Sequence, residues 1–313
     1  MDWINYILII LGLCVFEVIT SIDNAIINAD VLSTMKKKSR KWFLIWGILI
    51  GVFVIRGLLP WAIVWASTPG IGPIDALIST FSGNPEIIKA IDASSSILLA
   101  GGGIYLIFLF FHWLFIEPKN YGIVGERFIQ KQGIWFYAIV SIVLAMVIWF
   151  GIHKNPLMAF GAVIGSTAFF ITDGFKQNAE KKEQELRKKG FSDTSKILYL
   201  EILDATFSID SVLGAFAFTL SVPLILLGNG LGAIVTRNLT IQGVDKLKKY
   251  VYLKNGAMYS IYFLGLIMLL DSFKIDIPFW VSPIVTFLIV GYFFFKSKRK
   301  IRGEFIEDVV EGK

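Results

Sequence analysis

Residues 3–24 read WINYILIILGLCVFEVITSIDN, an apolar run long enough to cross a bilayer that still carries Glu17, Asp23 and Asn24 in its second half. A span needs about 20 consecutive, mostly apolar residues. An ionised carboxylate near the centre of such a span costs at least ~2.5 kcal/mol on insertion scales. A chain that keeps two of them there must supply partners for them or use them. Similar apolar runs recur as far as residue 296, and the spacing predicts spans at 4–33, 42–66, 88–116, 134–152, 157–173, 197–221, 223–240, 255–271 and 279–296. Over 313 residues, 55% are hydrophobic, 17% are charged and the mean hydropathy is +0.68, which is more apolar surface than a water-soluble globule can hide. The expected fold class is all-α, a polytopic membrane helix bundle of about nine spans with no large soluble domain.

Asp2 opens directly onto the first run and no basic stretch precedes it, so the first segment is expected to stay in the mature protein. The single cysteine, Cys14, lies inside that run and cannot form a disulfide within the chain. Nine Trp and ten Tyr suit interfacial aromatic belts. Basic residues are distributed very unevenly. Lys36 to Lys41 holds five, 117–133 three, 174–196 seven, 241–254 four and the tail from Lys296 six, whereas the alternate loops hold only Lys89, Lys154 and Lys274. The positive-inside rule then puts the N-terminus outside and the C-terminus in the cytoplasm, in the cell's inner (plasma) membrane. The net charge of +6 reflects this asymmetry, and no nucleic-acid partner is expected.

Glu17-Val-Ile-Thr-Ser-Ile-Asp23-Asn24 aligns without gaps with Asp204-Ala-Thr-Phe-Ser-Ile-Asp210-Ser211 in the sixth span. The following spans repeat as well, Gly51-Val-Phe-Val-Ile-Arg56 against Gly232-Ala-Ile-Val-Thr-Arg237. An odd number of crossings separates the two copies, so they would run in opposite directions, which is an inverted repeat of the kind transporters build around a midplane site. The organisation expected is one membrane domain over 1–313. It comprises a first repeat at about 4–116, connecting spans in 134–173, a charged cytoplasmic loop at 174–196, a second repeat at about 197–271, a last span at 279–296 and a basic cytoplasmic tail at 297–313. The mixed-charge segment from Glu180 to Lys189 reads as a solvated helix or a linker.

Glu17, Asp23, Asp204 and Asp210 all lie inside apolar spans. Each could simply bond to a polar neighbour and hold the bundle together, or the four could form an ion pathway facing a bundle interior. At about 100° per residue, Glu17 and Asn24 lie about 20° apart on a helix, as do Asp204 and Ser211, whereas Asp23 and Asp210 fall about 120° from their partner acids. All four therefore reach one cavity only if a helix is broken or the cavity is wide, and a break near Asp23 is expected. Antiparallel repeats would pair Glu17 with Asp210 and Asp23 with Asp204 in depth. Carboxylate, amide and hydroxyl oxygens suit hard or borderline divalent cations such as manganese, magnesium or calcium. His112 and His153 read as interfacial residues rather than ligands. Four acids with Arg56 and Arg237 sum to −2, which one divalent ion or two protons would neutralise; each arginine could equally be a salt bridge or snorkel to the interface. Glu201 and Asp92 are candidate entrance residues, with Arg56 and Arg237 as candidate gates. Asp75 and Asp173 read as ordinary loop residues, and Gly101-Gly102-Gly103 as a site of close packing or a kink.

The acid-x5-Asp-Asn pattern of Glu17 to Asn24, the pattern Glu201-x2-Asp204-x5-Asp210-Ser211 and the run Arg237-Asn238-Leu239-Thr240 resemble the TerC family of integral membrane proteins across most of the chain. That family is linked to tellurium-resistance operons, and several of its members are regarded as manganese exporters. The resemblance implies Glu17, Asp23, Asn24, Asp204, Asp210 and Ser211 as metal-pathway residues. Where relatives often read Ser-Leu-Asp-Asn or Ala-Val-Asp-Ser, this chain has Ser-Ile-Asp in both copies, a change that leaves the ligands intact.

The function expected is a secondary transporter exporting a divalent cation, Mn²⁺ first, in exchange for protons. The alternatives are export of a small organic cation or amino acid, and a membrane scaffold of a metal or tellurite stress-response complex. No enzyme activity and no resident cofactor are expected. An intramembrane aspartyl protease would carry a Gly-x-Gly-Asp sequence, which is missing here. The partners expected are the lipid bilayer, the metal ion as substrate and protons.

Overall fold

The structure is a computed structural model and describes residues 3–47, 50–68, 70–82, 85–186, 191–242 and 249–311. The Asp23 backbone belongs to a helix, but its side chain lies outside the described residues. Among the described residues, thirteen α-helices and two π-helical segments follow one another and there is no strand. In order they are α1 (Trp3–Thr20), α2 (Ile22–Ser33), α3 (Lys37–Trp42), π-helical segments at Phe43–Gly47 and Ile50–Leu58, α4 (Leu59–Ser67), α5 (Pro73–Ser82), α6 (Pro85–Phe115), α7 (Glu126–Gln130), α8 (Trp135–Lys154), α9 (Pro156–Leu186), α10 (Asp193–Ala215), α11 (Val222–Gln242), α12 (Leu253–Ser272) and α13 (Val281–Glu311).

Among the described residues, seven helices are long and apolar enough to cross a membrane: α1, α8, α12 and the apolar parts of α6, α9, α11 and α13. The molecule is thus a polytopic helical membrane bundle. The two remaining expected spans, 42–66 and 197–221, are largely helical, but neither is an uninterrupted apolar helix. The first passes through both π segments, and α10 carries Glu201, Asp204 and Asp210. Local sequence explains several ends. Ser192 caps α10 by accepting from Ser195 N, Asn155 Oδ1 accepts from Leu157 N at the start of α9, and Gly125 at φ +100° turns the chain into α7. Charged helix formers carry α9 into the expected 174–196 loop as far as Leu186, and α13 into the expected tail as far as Glu311.

The expected break is present: the first span is interrupted at Ser21, between Glu17 and Asn24. The second copy behaves differently, because α10 runs unbroken past both of its acids. Its two carboxylates therefore keep the angular separation of a straight helix.

α6 is the central post, packed on α9 and α12, while α1 lies along α11. The apolar part of α6 is 78% buried against 22% for α8, so α8 faces lipid with most of its surface. Lipid is as apolar as Leu, so close van der Waals fit has to supply much of the association between helices. Gly101 fits against Gly161 and Gly165 so closely that a Cβ on Gly165 would overlap the Gly101 carbonyl, and Gly103 meets Gly265 in the same manner. Trp113, Tyr105 and Phe108 of α6 are fully enclosed, with Phe136 and Phe169 stacked edge-on nearby. A smaller apolar cluster of Val31, Leu32, Met35, Phe43, Leu200 and Leu203 ties α2 to α10.

Gly165→Leu should prise α6 from α9 and lower stability by about 2 kcal/mol or more, the cost of overpacking a tight contact. Thermal unfolding in detergent, with Gly174→Leu as a control at an open position, measures this.

Candidate functional site

The interruption at Ser21 and the π-helical stretch around Arg56 bring five polar side chains into one buried chain of bonds. Glu17 is fully buried, and its Oε1 accepts from Ser21 Oγ at 2.8 Å and from Arg56 Nε and Nη2 at 2.9 and 2.6 Å. Arg56, 3% exposed, turns Nη1 to Asp204 Oδ2 at 3.3 Å and to the Gly51 carbonyl at 3.0 Å. Asn24 Nδ2 then donates to Asp204 Oδ1 at 2.5 Å. This last bond fixes the amide, because only its NH₂ can face a carboxylate, so Asn24 Oδ1 points the other way.

Glycines provide the space. A Cβ on Gly51 would come within 2.7 Å of Asp204 Oδ2, one on Gly232 within 2.6 Å of Glu17 Cβ, and one on Gly47 would overlap Glu201 Oε1. Gly51 and Gly232 are the aligned glycines of the two sequence copies, and each lies against the acid of the opposite copy.

Beside Asp204 lies a cavity of about 20 Å³, room for about one water-sized particle. Asn24 and Asn28 line it from α2, Thr236, Arg237 and Thr240 from α11, and Arg56 from the π segment. Glu17 Oε2, Asn24 Oδ1 and Asn28 Oδ1 are buried with no hydrogen-bond donor. The Thr236 and Thr240 hydroxyls spend their protons on the carbonyls of Gly232 and Thr236, which leaves their oxygen lone pairs free. Glu201 stands 4.0 Å from Arg237 Nη2 with both of its oxygens unbonded, and Arg237 lies over the ring of Phe43 at 4.4 Å. Both arginines thus reach the cavity. Glu17, Asp204 and Glu201 set three negative charges against two guanidinium groups.

Asp210 goes elsewhere. Its Oδ1 accepts from the Tyr105 hydroxyl at 2.6 Å and its Oδ2 pairs with Lys176 at 2.5 Å, in a separate cleft of about 400 Å³. Glu17 and Asp210 do not share one site, because the straight α10 turns Asp204 and Asp210 to different faces. Ser211, 1% exposed, donates to the Ser208 carbonyl of its own helix. Asp92 is exposed on a third cleft of about 460 Å³, together with Asp271, Lys274 and Asp276. Among the described residues no three His, Cys, Asp or Glu side chains converge as a metal centre, since Arg56 occupies the space between Glu17 and Asp204.

One reading of the sequence needs correction: Asp173 is not in or beside a loop but inside α9, 3.6 Å from His112, which is 8% exposed in the Asp210 cleft. In the same cleft burial works to raise the Glu117 carboxyl, but Lys254 at 2.8 Å and then His112 outweigh it and hold Glu117 well below the usual carboxylate range. Sequence reasoning also missed Asn28, Thr236 and Thr240. The signal was a four-residue spacing, Asn24 to Asn28 and Thr236 to Thr240, which puts each pair on one helix face.

Residues 22–304 match the family described as "Protein of unknown function (DUF475)". The chain belongs to the DUF475 family. It is also similar to the "Uncharacterized membrane protein YceF" of Bacillus subtilis (strain 168), 28% identical over 107 residues, which is 33% of this chain and 42% of that protein. The DUF475 chain therefore spans less than half the length of this curated relative in the matched region. No solved structure matches it.

Arg56→Met in this DUF475 protein should leave Glu17 buried without a counter-charge and cost about 3–5 kcal/mol, most of it recovered by adding Glu17→Gln. Unfolding of the two singles and the double in detergent completes the cycle; equal, independent losses would show that the pair is not a unit.

Proposed function

We propose that this DUF475 protein is a secondary transporter that exports a divalent cation, Mn²⁺ first, in exchange for protons. The observation that carries the reading is the one-particle cavity on Asp204, lined by Asn24 and Asn28, whose side-chain oxygens are buried without a donor. Buried acceptors without donors are rare and call for a guest that supplies positive charge. Asp204 is the acid that lines the cavity with Arg56 and Arg237, while Glu17 and Glu201 stand behind those two arginines and hold their charge, which leaves Asp204 and the amide and hydroxyl oxygens to receive the guest. A guest of this size is a bare or nearly bare ion, which favours a metal over an amino acid or an organic ammonium compound. Carboxylate, amide and hydroxyl oxygens are hard ligands. The choice of manganese among such ions rests on the resemblance to the TerC family.

In this reading Arg56 is an internal cation that holds Glu17 and Asp204 together when no metal is bound. An arriving ion takes over Asp204, Arg56 withdraws toward Glu17, and the interrupted first span and the π-helical stretch absorb the shift. Interruptions of this kind are frequent at functional sites and let a helix change length or direction at small cost. The Glu201–Arg237 pair, on the cytoplasmic side by the charge asymmetry of the loops, is the entrance. The 42–66 and 197–221 segments cross the membrane too, giving nine spans with the N-terminus outside. The contacts of Gly51 with Asp204 and of Gly232 with Glu17 support an inverted repeat.

The test is total cell metal by mass spectrometry in a manganese-sensitive, exporter-deficient host, with variants at matched membrane levels. Wild type should lower cell manganese several-fold, Asp204→Asn should abolish the effect, and Asn28→Leu should weaken it. Unchanged divalent metals with well-expressed wild type would sink the export reading.

A further inference from the structure

The exchange proposed above needs a place for the proton, and Asp204 offers a poor one because it is already paired with a permanently charged guanidinium. The cleft on the other face of α10 offers a better one. His112 of α6 stands there with Nδ1 3.5 Å from Glu117 Oε1 and Nε2 3.6 Å from Asp173 Oδ1. Both ring nitrogens face a carboxylate. A neutral imidazole has one N–H and one lone pair, so in either tautomer one carboxylate would face a lone pair; only the imidazolium gives each acid a donor. Nδ1 is buried and has no hydrogen-bond partner, so the ring is held at ion-pair range with room for the acids to close on it or draw back.

A second observation is the charge balance. Among the described residues, the charged groups facing this space are Glu117 from the loop after α6, Asp173 and Lys176 from α9, Asp210 from α10 and Lys254 from α12. Three carboxylates against two ammonium groups leave the cleft one positive charge short, which a protonated His112 supplies. The rings of Phe136 and Phe169 close on the imidazole edge-on and add no charge.

We propose that His112, held between Glu117 and Asp173, is the proton site of the exchange, in a cleft separate from the cavity that takes the metal. A hydronium ion from the cytoplasm gives its proton to the free lone pair of the ring and leaves as water; release reverses the step. The two sites share walls. Ser21, Asn24, Ala25 and Asn28 line the metal cavity, whereas Ile22 and Ile26 of the same helix line the cleft. α10 likewise gives Asp204 to one and Asp210 to the other. Asp173 and Lys176 are three residues apart on α9 and share a face. When His112 gives up its proton, Asp173 loses its charged partner, is left with the neutral Gln177 amide as a donor and draws Lys176 from Asp210, and α10 is freed to move Asp204 as well.

The chain has only two histidines, and His153 lies exposed at the end of α8. His153→Gln therefore leaves His112 as the single histidine. In nanodiscs, ¹⁵N NMR of that protein should show both ring nitrogens protonated to a higher pH than in the same protein carrying Glu117→Gln and Asp173→Asn. An identical titration with and without the two acids overturns the proton site. In proteoliposomes, an imposed pH gradient should speed Mn²⁺ flux several-fold in wild type, and His112→Gln should lose that response, as should Asp173→Asn if the first variant folds poorly. A retained gradient response in folded His112→Gln overturns the coupling. If wild type moves no divalent cation, the exchange reading fails, whereas the NMR result still decides whether the ring is a proton site.

Discussion

A guanidinium cannot give up its charge in a protein, and Arg56 is nearly sealed inside a bundle whose outer solvent is lipid. Burying such an ion costs several kcal/mol even after the surroundings relax, and the cost is offset only where its donors meet acceptors in good geometry. Glu17 and Asp204 provide those acceptors from helices far apart in sequence. The rest of the polar interior follows from meeting this demand. Ser21 must sit where its hydroxyl can reach Glu17, which places it at the interruption of the first span. Gly51 must lack a side chain so that its backbone can approach both Arg56 and Asp204. Asn24 must turn its NH₂ to Asp204, which leaves its carbonyl oxygen buried without a donor.

The same constraint separates the acids of α10. Asp204 is engaged by Arg56, and an unbroken helix then carries Asp210 round to the opposite side, where Lys176 and Tyr105 hold it. One acid is thus neutralised by a cation of fixed charge, the other by a long, movable lysine in a cleft that also contains a histidine. The asymmetry arises because the first copy is interrupted and the second is not. Copies that align residue for residue over eight positions have taken different shapes because they have different neighbours. Packing elsewhere is of the kind that lipid demands: glycine on glycine between α6 and α9, and aromatic rings edge-on around Tyr105 and Phe169.

Much of this was legible beforehand. The acids inside apolar runs, the matched glycines and arginines, and the interruption near Asp23 all followed from spacing and from the cost of charge in hydrocarbon. Less legible were the residues that complete each site. Asn28, Thr236 and Thr240 are ordinary polar residues in the sequence and gain meaning only by facing Asp204. His112 and Asp173 looked marginal because hydropathy places a residue along a span but says nothing about which side of the helix meets a neighbour.

By itself the sequence determined the solvent of this protein, its all-helical class, and the four acids that lipid would not tolerate unpaired. Those properties depend on composition and on periodicity along one helix, which the chain carries locally. Only the tertiary structure decided which acid meets which cation, because that depends on helix rotation, on the glycines that set helix separation, and on whether a helix bends. A break in α10 between Asp204 and Asp210, like the one at Ser21 in the first copy, would have been needed to turn both acids to one site; the unbroken helix divided them between two.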